Sequence, residues 1–278
     1  MRTAVGMVFL ILVLAASCSR SVSGSLSTAP GLAGKALGSG DFTVALNEEK
    51  DGPVLVISHA SRGILWRSIP GRSFIAAAEG KEKVSESRGS FRIKDSIASV
   101  LADQTIQAFE RRGAQIVVSG RLTRTDARDS EYTLVLEPES ARQLRFDIRV
   151  ADSSLNRVYL TLASSRDEAF FGFGEQFTYF NLKGRLVPVL VQEQGIGRGA
   201  QPITTAVNIV AGAGGDWHTT YVAVPHFITS ALRSLFLENY EYSEFDLRRD
   251  DAVTVGVFSG SMRGRIIAAE SPLGAIEE

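Results

Sequence analysis

The chain has 278 residues, 44% of them hydrophobic and 22% charged, a balance that supports a packed core and excludes a disordered tail. Its 30 Lys and Arg oppose 31 Asp and Glu, so no net field draws it to nucleic acid or to an anionic membrane. A single cysteine excludes a disulfide framework and leaves stability to the core.

The first element in chain order is a signal segment, residues 1–18. Arg2 precedes an uncharged apolar run from Val5 to Ala16, shorter than the about 20 residues that span a bilayer, which predicts export rather than a permanent helix. The run ends in Leu14-Ala15-Ala16-Ser17-Cys18 and resembles a bacterial lipobox, which makes Cys18 a candidate lipidation site and membrane tether. Ala15 stands where that motif usually carries Leu, so a plain signal peptide cut near Ala16 is the open alternative. Either route places the protein in the periplasm or on the outer surface. Residues 19–40 are Ser, Gly and Ala with few large apolar side chains, and read as a flexible linker.

A β-sandwich domain is predicted over residues 41–270. Short apolar or alternating runs read as strands at Phe42–Leu46, Val54–Ser58, Phe91–Lys94, Gln115–Ser119, Tyr132–Leu136, Leu144–Val150 and Arg157–Leu162. The pattern continues at Ala206–Val210, Thr219–Val224, Leu235–Leu237, Phe245–Leu247, Val253–Phe258 and Arg265–Ala268. Ile97–Phe109 fits either a helix or two strands around Ala102-Asp103. With no long helical stretch between strands, the fold class is all-β and antiparallel rather than doubly wound. Residues 271–278 read as the start of a connection.

Three segments carry candidate chemistry. In Phe170-Phe171-Gly172-Phe173-Gly174-Glu175 two glycines flank an aromatic and let a sharp turn present Glu175. A strand end with a solvated carboxylate is the competing reading, and on these residues alone it is the stronger. Gln192-Glu193-Gln194-Gly195-Ile196-Gly197-Arg198-Gly199 packs amide, carboxylate and guanidinium groups into a glycine-rich loop. Such groups bind sugar hydroxyls, and Arg198 can fork onto an anion, while a bare hairpin tip explains the glycines equally well. Gly214-Gly215-Asp216-Trp217-His218-Thr219-Thr220-Tyr221, followed by Pro225-His226-Phe227, sets aromatics beside Asp and His, which suits the CH face and hydroxyls of a sugar, although a packed core edge is the commoner use. Neither dinucleotide nor P-loop spacing is present, and His59, His218 and His226 match no zinc pattern, so no cofactor and no metal is expected.

Taken in order, the three segments resemble the N-terminal domain of glycoside hydrolase family 31, and within it the sulfoquinovosidase-like branch. The resemblance rests on the G-x-G-E turn at Gly172–Glu175, the segment Gln176–Arg185, the E-Q-G-x-G-R loop at Glu193–Arg198 and the G-G-D-aromatic segment at Gly214–Trp217. Gln192, where that branch often has a small hydroxyl residue, and His218, where it is often aromatic, are departures that bear on the substrate. The resemblance implies a sandwich similar to galactose mutarotase, followed in the same chain by a (β/α)8 barrel that carries an aspartate nucleophile and an aspartate acid beyond Glu278. No catalytic residue is then expected here, and this chain alone is expected to be inactive. Glu175, Glu193, Gln194, Arg198, Asp216 and Trp217 become candidate binding residues for an α-glycoside, a sulfoquinovoside among them. The loop at 192–199 is expected to be exposed and disordered for want of support where no barrel covers it, and an apolar patch that favours association is expected where the sandwich would meet the barrel. The competing functions are a free-standing carbohydrate-binding sandwich and a structural domain without ligand.

Overall fold

The computed structural model describes residues 22–124, 128–198 and 201–278, and the signal segment with Cys18 lies outside them. The described chain opens with β1 (Leu26–Thr28), β2 (Lys35–Ser39), β3 (Phe42–Glu49), β4 (Gly52–His59) and β5 (Gly63–Arg67). A long hairpin follows, β6 (Ile75–Ser87) and β7 (Ser90–Leu101), then β8 (Asp103–Arg112), β9 (Gln115–Thr123), β10 (Asp129–Pro138), β11 (Gln143–Val150) and β12 (Arg157–Ala163). The last part holds β13 (Phe170–Gly174), β14 (Leu186–Val189), helix α1 (Pro202–Ala211), β15 (Ala223–Thr229) and β16 (Arg233–Leu237). It closes with β17 (Ser243–Asp246), β18 (Ala252–Val257), β19 (Ser261–Ala268) and helix α2 (Pro272–Glu277).

The strands form a nine-stranded sheet in the order β1-β8-β9-β10-β11-β19-β16-β15-β13, a six-stranded sheet β14-β17-β18-β12-β6-β7, and a four-stranded sheet β2-β3-β4-β5. Pairing is antiparallel except between β1 and β8. Period-two burial explains the central strands: Tyr132, Leu134 and Leu136 of β10 and Leu144, Phe146 and Ile148 of β11 face the core while their neighbours face out. The Phe227 ring ties the layers together. Its centroid lies 5.9 Å from Trp66 of β5, 5.3 Å from Phe170 and 5.8 Å from Phe173 of β13, and 5.7 Å from Phe245 of β17, which gives it partners in all three sheets.

The structure corrects the sequence reading in four places. The stretch read as a flexible linker is folded from Leu26 onward: β1 lies on β8, β2 pairs with β3, and Leu26 and Leu32 join the core at 5% and 8% exposure. β1 finds its partner β8 far along the chain and β2 finds the adjacent β3, and composition reveals neither pairing. Ala206–Val210 lies in α1, not in a strand. Pro202 opens that helix and Gly212, at φ 61°, closes it by donating its N–H to the Asn208 carbonyl, so end signals outweigh the β-branched interior. Of the strand read at Thr219–Val224 only Ala223 and Val224 join β15, and residues 219–222 precede it. Residues 271–278 are helical: Ser271 Oγ accepts the Gly274 N–H at 3.0 Å, and Ala275 packs with Ile228 and Ile267. The ambiguity at Ile97–Phe109 resolves into β7 and β8.

Candidate functional site

The G-x-G turn ends β13 as a bulge. Gly172, Phe173 and Gly174 all have positive φ, at 117°, 65° and 83°, and a Cβ on Gly172 or Gly174 would lie 2.6 Å from the His226 carbonyl or 2.1 Å from the Val222 carbonyl. Phe173 keeps this unfavourable conformation because its ring is buried against Phe227 and Phe245. The turn carries Glu175 to the surface: its N–H donates to Val222 O at 2.9 Å and the residue is exposed.

Phe177, Thr178 and Tyr179 follow and meet the other two segments. The Arg198 guanidinium lies 4.2 Å from the centre of the Phe177 ring. Thr178 Oγ1 donates to Trp217 O at 3.0 Å, and Tyr179 packs edge-on to Trp217 at 5.7 Å. Arg185 lies 3.2 Å from the Tyr179 ring centre and 5.4 Å from that of Trp217. Phe177, Thr178, Gln194, Gly195, Gly197, Arg198 and Gln201 line an open cleft of about 400 Å³. Arg198 Nη1 is enclosed there without a hydrogen-bond partner among the described residues.

The glycine-rich loop is held from behind, which corrects the expectation that it lacks support in this chain; its Gly199 lies outside the described residues. The β6–β7 hairpin turns through Arg88 and Gly89, both at positive φ, so its tip presents a fixed carbonyl and amide. Glu193 N–H donates to Gly89 O at 2.8 Å, and Gln192 Oε1 accepts the Phe91 N–H at 3.0 Å. On the other side Ile196 N–H donates to Ala213 O at 2.7 Å.

Of the six candidate binding residues, Gln194 and Arg198 share the cleft, and Trp217 flanks it through Thr178 and Tyr179. Glu193 turns to the Tyr221 hydroxyl, which donates to its carboxylate and holds the phenol above its usual range. Glu175 and Asp216 are exposed. The six therefore do not form one constellation. Phe177, Arg185, Tyr221 and Gln201 were not singled out from sequence; only the aromatic and basic character of the segments that hold the first three hinted at them.

His218 is mostly enclosed, with Nδ1 lacking a hydrogen-bond partner among the described residues. Burial pushes its pKa below 6.5, and the nearby Asp216 charge opposes that only in part. A depressed folded-state pKa means that the unfolded chain binds the proton more readily. Stability is then full above pH 6.5 and is lost as pH falls from there to the folded-state value. His226 is shifted the same way by burial. We expect the melting temperature to drop between pH 7 and pH 5, and His218→Gln to flatten that drop in part. A pH profile unaltered by the substitution would rule out His218 as a contributor.

Residues 56–246 match the family described as Glycosyl hydrolase 31 N-terminal galactose mutarotase-like domain. The chain belongs to this family. The matched span contains all three candidate segments of this glycosyl hydrolase 31 domain. Among curated relatives, the sulfoquinovosidase of Agrobacterium fabrum is 28% identical over 80% of this chain and 31% of its own length. The sulfoquinovosidase of Escherichia coli is 25% identical over 69% of this chain and 28% of its own length. The solved structure of a family 31 sulfoquinovosidase from E. rectale, in complex with an aza-sugar inhibitor, superposes with a TM-score of 0.66 at 21% identity. It covers 87% of this chain and 33% of that one, and establishes the galactose mutarotase-like sandwich. The glycosyl hydrolase 31 chain thus spans about a third of the length of these relatives.

Proposed function

We propose that this domain is the N-terminal part of a retaining α-glycosidase that hydrolyses O-glycosyl bonds, and that it supplies a wall of the sugar site but not the catalytic aspartates. One observation carries the reading: Arg198 is stacked on Phe177 with Nη1 enclosed and without a hydrogen-bond partner among the described residues, beside Gln194 in an open cleft. A guanidinium held this way offers paired N–H donors to a hydroxyl or an anionic substituent, and the Gln194 amide adds a donor and an acceptor. A sulfoquinovoside, whose sulfonate is a fixed anion, is the substrate class we infer, in line with the sulfoquinovosidases among the relatives.

Retaining hydrolysis requires one carboxylate to attack the anomeric carbon while a second carboxyl group, about 5 to 5.5 Å away, protonates the leaving oxygen. At this site Glu193 is tied to Tyr221 and Glu175 lies on the turn beside Val222, so neither is assigned that work. The remainder of the enzyme, a (β/α)8 barrel in this reading, supplies the pair. Export, with lipid attachment at Cys18, completes the proposal and rests on the apolar run from Val5 to Ala16 and the placement of that cysteine.

The test is NMR titration of the purified chain with methyl α-sulfoquinovoside and methyl α-glucoside. The anionic sugar should perturb resonances of Gln194 and Arg198, and Arg198→Ala should weaken its binding about tenfold. No glycoside should be turned over. Equal binding of both sugars, indifference to Arg198→Ala, or turnover abolished by Glu175→Gln or Glu193→Gln would each sink the reading.

A further inference from the structure

The β6–β7 hairpin leaves the sandwich as a two-stranded ribbon. β12 pairs with β6 only as far as Ala78, so from Gly80 and Ile97 outward the two strands pair with each other. At the root of this ribbon Glu82 lies opposite Asp95, two carboxylates on facing positions that repel unless a cation separates them. Arg157 of β12 supplies it: its Nη2 donates to Glu82 Oε2 at 2.5 Å, and Nε and Nη2 fork onto Asp95 at 3.2 and 3.0 Å. The Arg157 side chain is 2% exposed, and its guanidinium lies 3.7 Å from the centre of the Phe258 ring. Beside it the Asn156 amide accepts the Gly80 N–H at 2.8 Å and donates to Gly80 O at 3.0 Å. About 23 Å farther out, seven residues at the rise of a strand, the tip at Gly89 meets the start of the glycine-rich loop.

We propose that this ribbon is a brace that positions Arg198 for the sugar, with Arg157 fixing its root and Gln192 joining its tip to the loop. A two-stranded ribbon is marginal by itself, so this one takes its direction from its two ends. At the tip the contacts are directional. Gln192, 5% exposed, gives its side-chain oxygen to the Phe91 N–H at 3.0 Å rather than to the cleft. Glu193 N–H donates to Gly89 O at 2.8 Å, and Ser90 Oγ donates to Glu193 O at 3.3 Å. A Cβ on Gly89 would come within 3.1 Å of the Glu193 Cβ, so the tip and the loop meet with no room for a side chain between them. Farther along the loop, the Ile196 N–H is seated on Ala213 O. Arg198, two residues on, is thus carried by a short segment held at 193 and at 196, and a ribbon that swings moves the first of these seats. Gln192 and Arg157 are positioning residues, since neither is among the residues that line the cleft. The role rests on the reading of that cleft, under Proposed function, as a sugar site.

The test is NMR of the 278-residue chain, by amide exchange and by titration with methyl α-sulfoquinovoside. Gln192→Met keeps the length of the side chain and removes its oxygen, whereas Gln192→Glu keeps an acceptor for the Phe91 N–H. In the methionine variant the Ile196 amide should exchange about tenfold faster, and the sugar should bind about five- to tenfold more weakly. The upfield shift that the Phe177 ring imposes on the Arg198 side chain should shrink with them. Gln192→Glu should return all three toward the parent values. Arg157→Met should produce the same changes from the root, together with a lower melting temperature. Glu168→Ala, which lowers the melting temperature from outside the ribbon and the loop, should leave the Arg198 shift and the affinity as they are. If Arg157→Met does not fold, the two Gln192 variants decide. The brace is overturned if Gln192→Met leaves the Ile196 amide and the Arg198 shift unchanged, or if Glu168→Ala reproduces the same changes. A chain that binds no sugar, yet loses Ile196 protection and the Arg198 shift in Gln192→Met, keeps the brace and removes the sugar site. Affinity that falls with Arg198→Ala but not with Gln192→Met keeps the sugar site and removes the brace.

Discussion

Gly174→Ala is expected to cost about 3 kcal/mol of folding stability, from left-handed backbone strain and steric overlap together. The added Cβ would lie 2.1 Å from the Val222 carbonyl oxygen and 3.0 Å from the Val224 nitrogen, both backbone atoms of the paired chain. No side chain can swing aside to make room. Relief requires β13 and β15 to separate at the Gly174–Ala223 pair, next to the Glu175 N–H bond to Val222. Gly184 provides the control. Its φ of 85° nearly equals the 83° of Gly174, yet nothing lies within 4 Å of the place an added methyl would occupy, so alanine there should cost only the conformational part, about 1 kcal/mol. Urea denaturation of both variants distinguishes the causes, and equal losses would show that overlap contributes nothing.

The second large effect is expected at Glu168. Its side chain is 2% exposed and accepts Arg233 Nε on Oε1 at 2.8 Å, and on Oε2 both the Ser164 hydroxyl, at 2.8 Å, and Arg233 Nη2. The guanidinium is further enclosed by the Trp66 ring, 4.4 Å away, and by the Ala163 carbonyl at 3.1 Å. Glu168→Ala should therefore destabilise by about 3 to 5 kcal/mol, mostly because it strands the Arg233 charge where water reaches it poorly. The double variant Glu168→Leu with Arg233→Met removes both charges and should cost less than Glu168→Ala alone. A double variant as unstable as the sum of its single changes would mean that the two side chains act independently, contrary to the geometry.

How much of this was legible beforehand differs by element for physical reasons. β9 to β12 and β18 announce themselves because alternate residues such as Val253, Val255 and Val257 are all buried, and period two survives translation into sequence. β1 and β2 do not, since short runs of Ser, Gly and Ala carry too little apolar pattern to show that Leu26 lies opposite Gln104, 78 residues on, or that Ala36 pairs with Ala45. The β6–β7 hairpin is legible only in β7, at Phe91–Lys94 and as one option from Ile97: beyond Ala78 β6 runs clear of the core, so its charged side chains cost nothing and erase the apolar signal. The site divides in the same manner. Local order identified its three segments, but the stacking of Arg198 on Phe177 and the turning of Glu193 to Tyr221 depend on how distant turns converge, which no single segment encodes.

The short parallel strand at the start of the sandwich also bears on solubility. Without it the nine-stranded sheet would end on β8, a ten-residue rim of free amides and carbonyls of the kind that recruits further strands from neighbouring molecules. Three residues, Leu26–Thr28, occupy that rim over Gln104–Ile106 and are themselves too brief to template another chain. Past their reach the rim is studded with Glu110, Arg111 and Arg112, and at the opposite border of the sheet the bulge at Gly172–Gly174 breaks the run of β13. A stretch of serine and glycine that composition would dismiss as a spacer thus acts as a guard against edge-to-edge polymerisation.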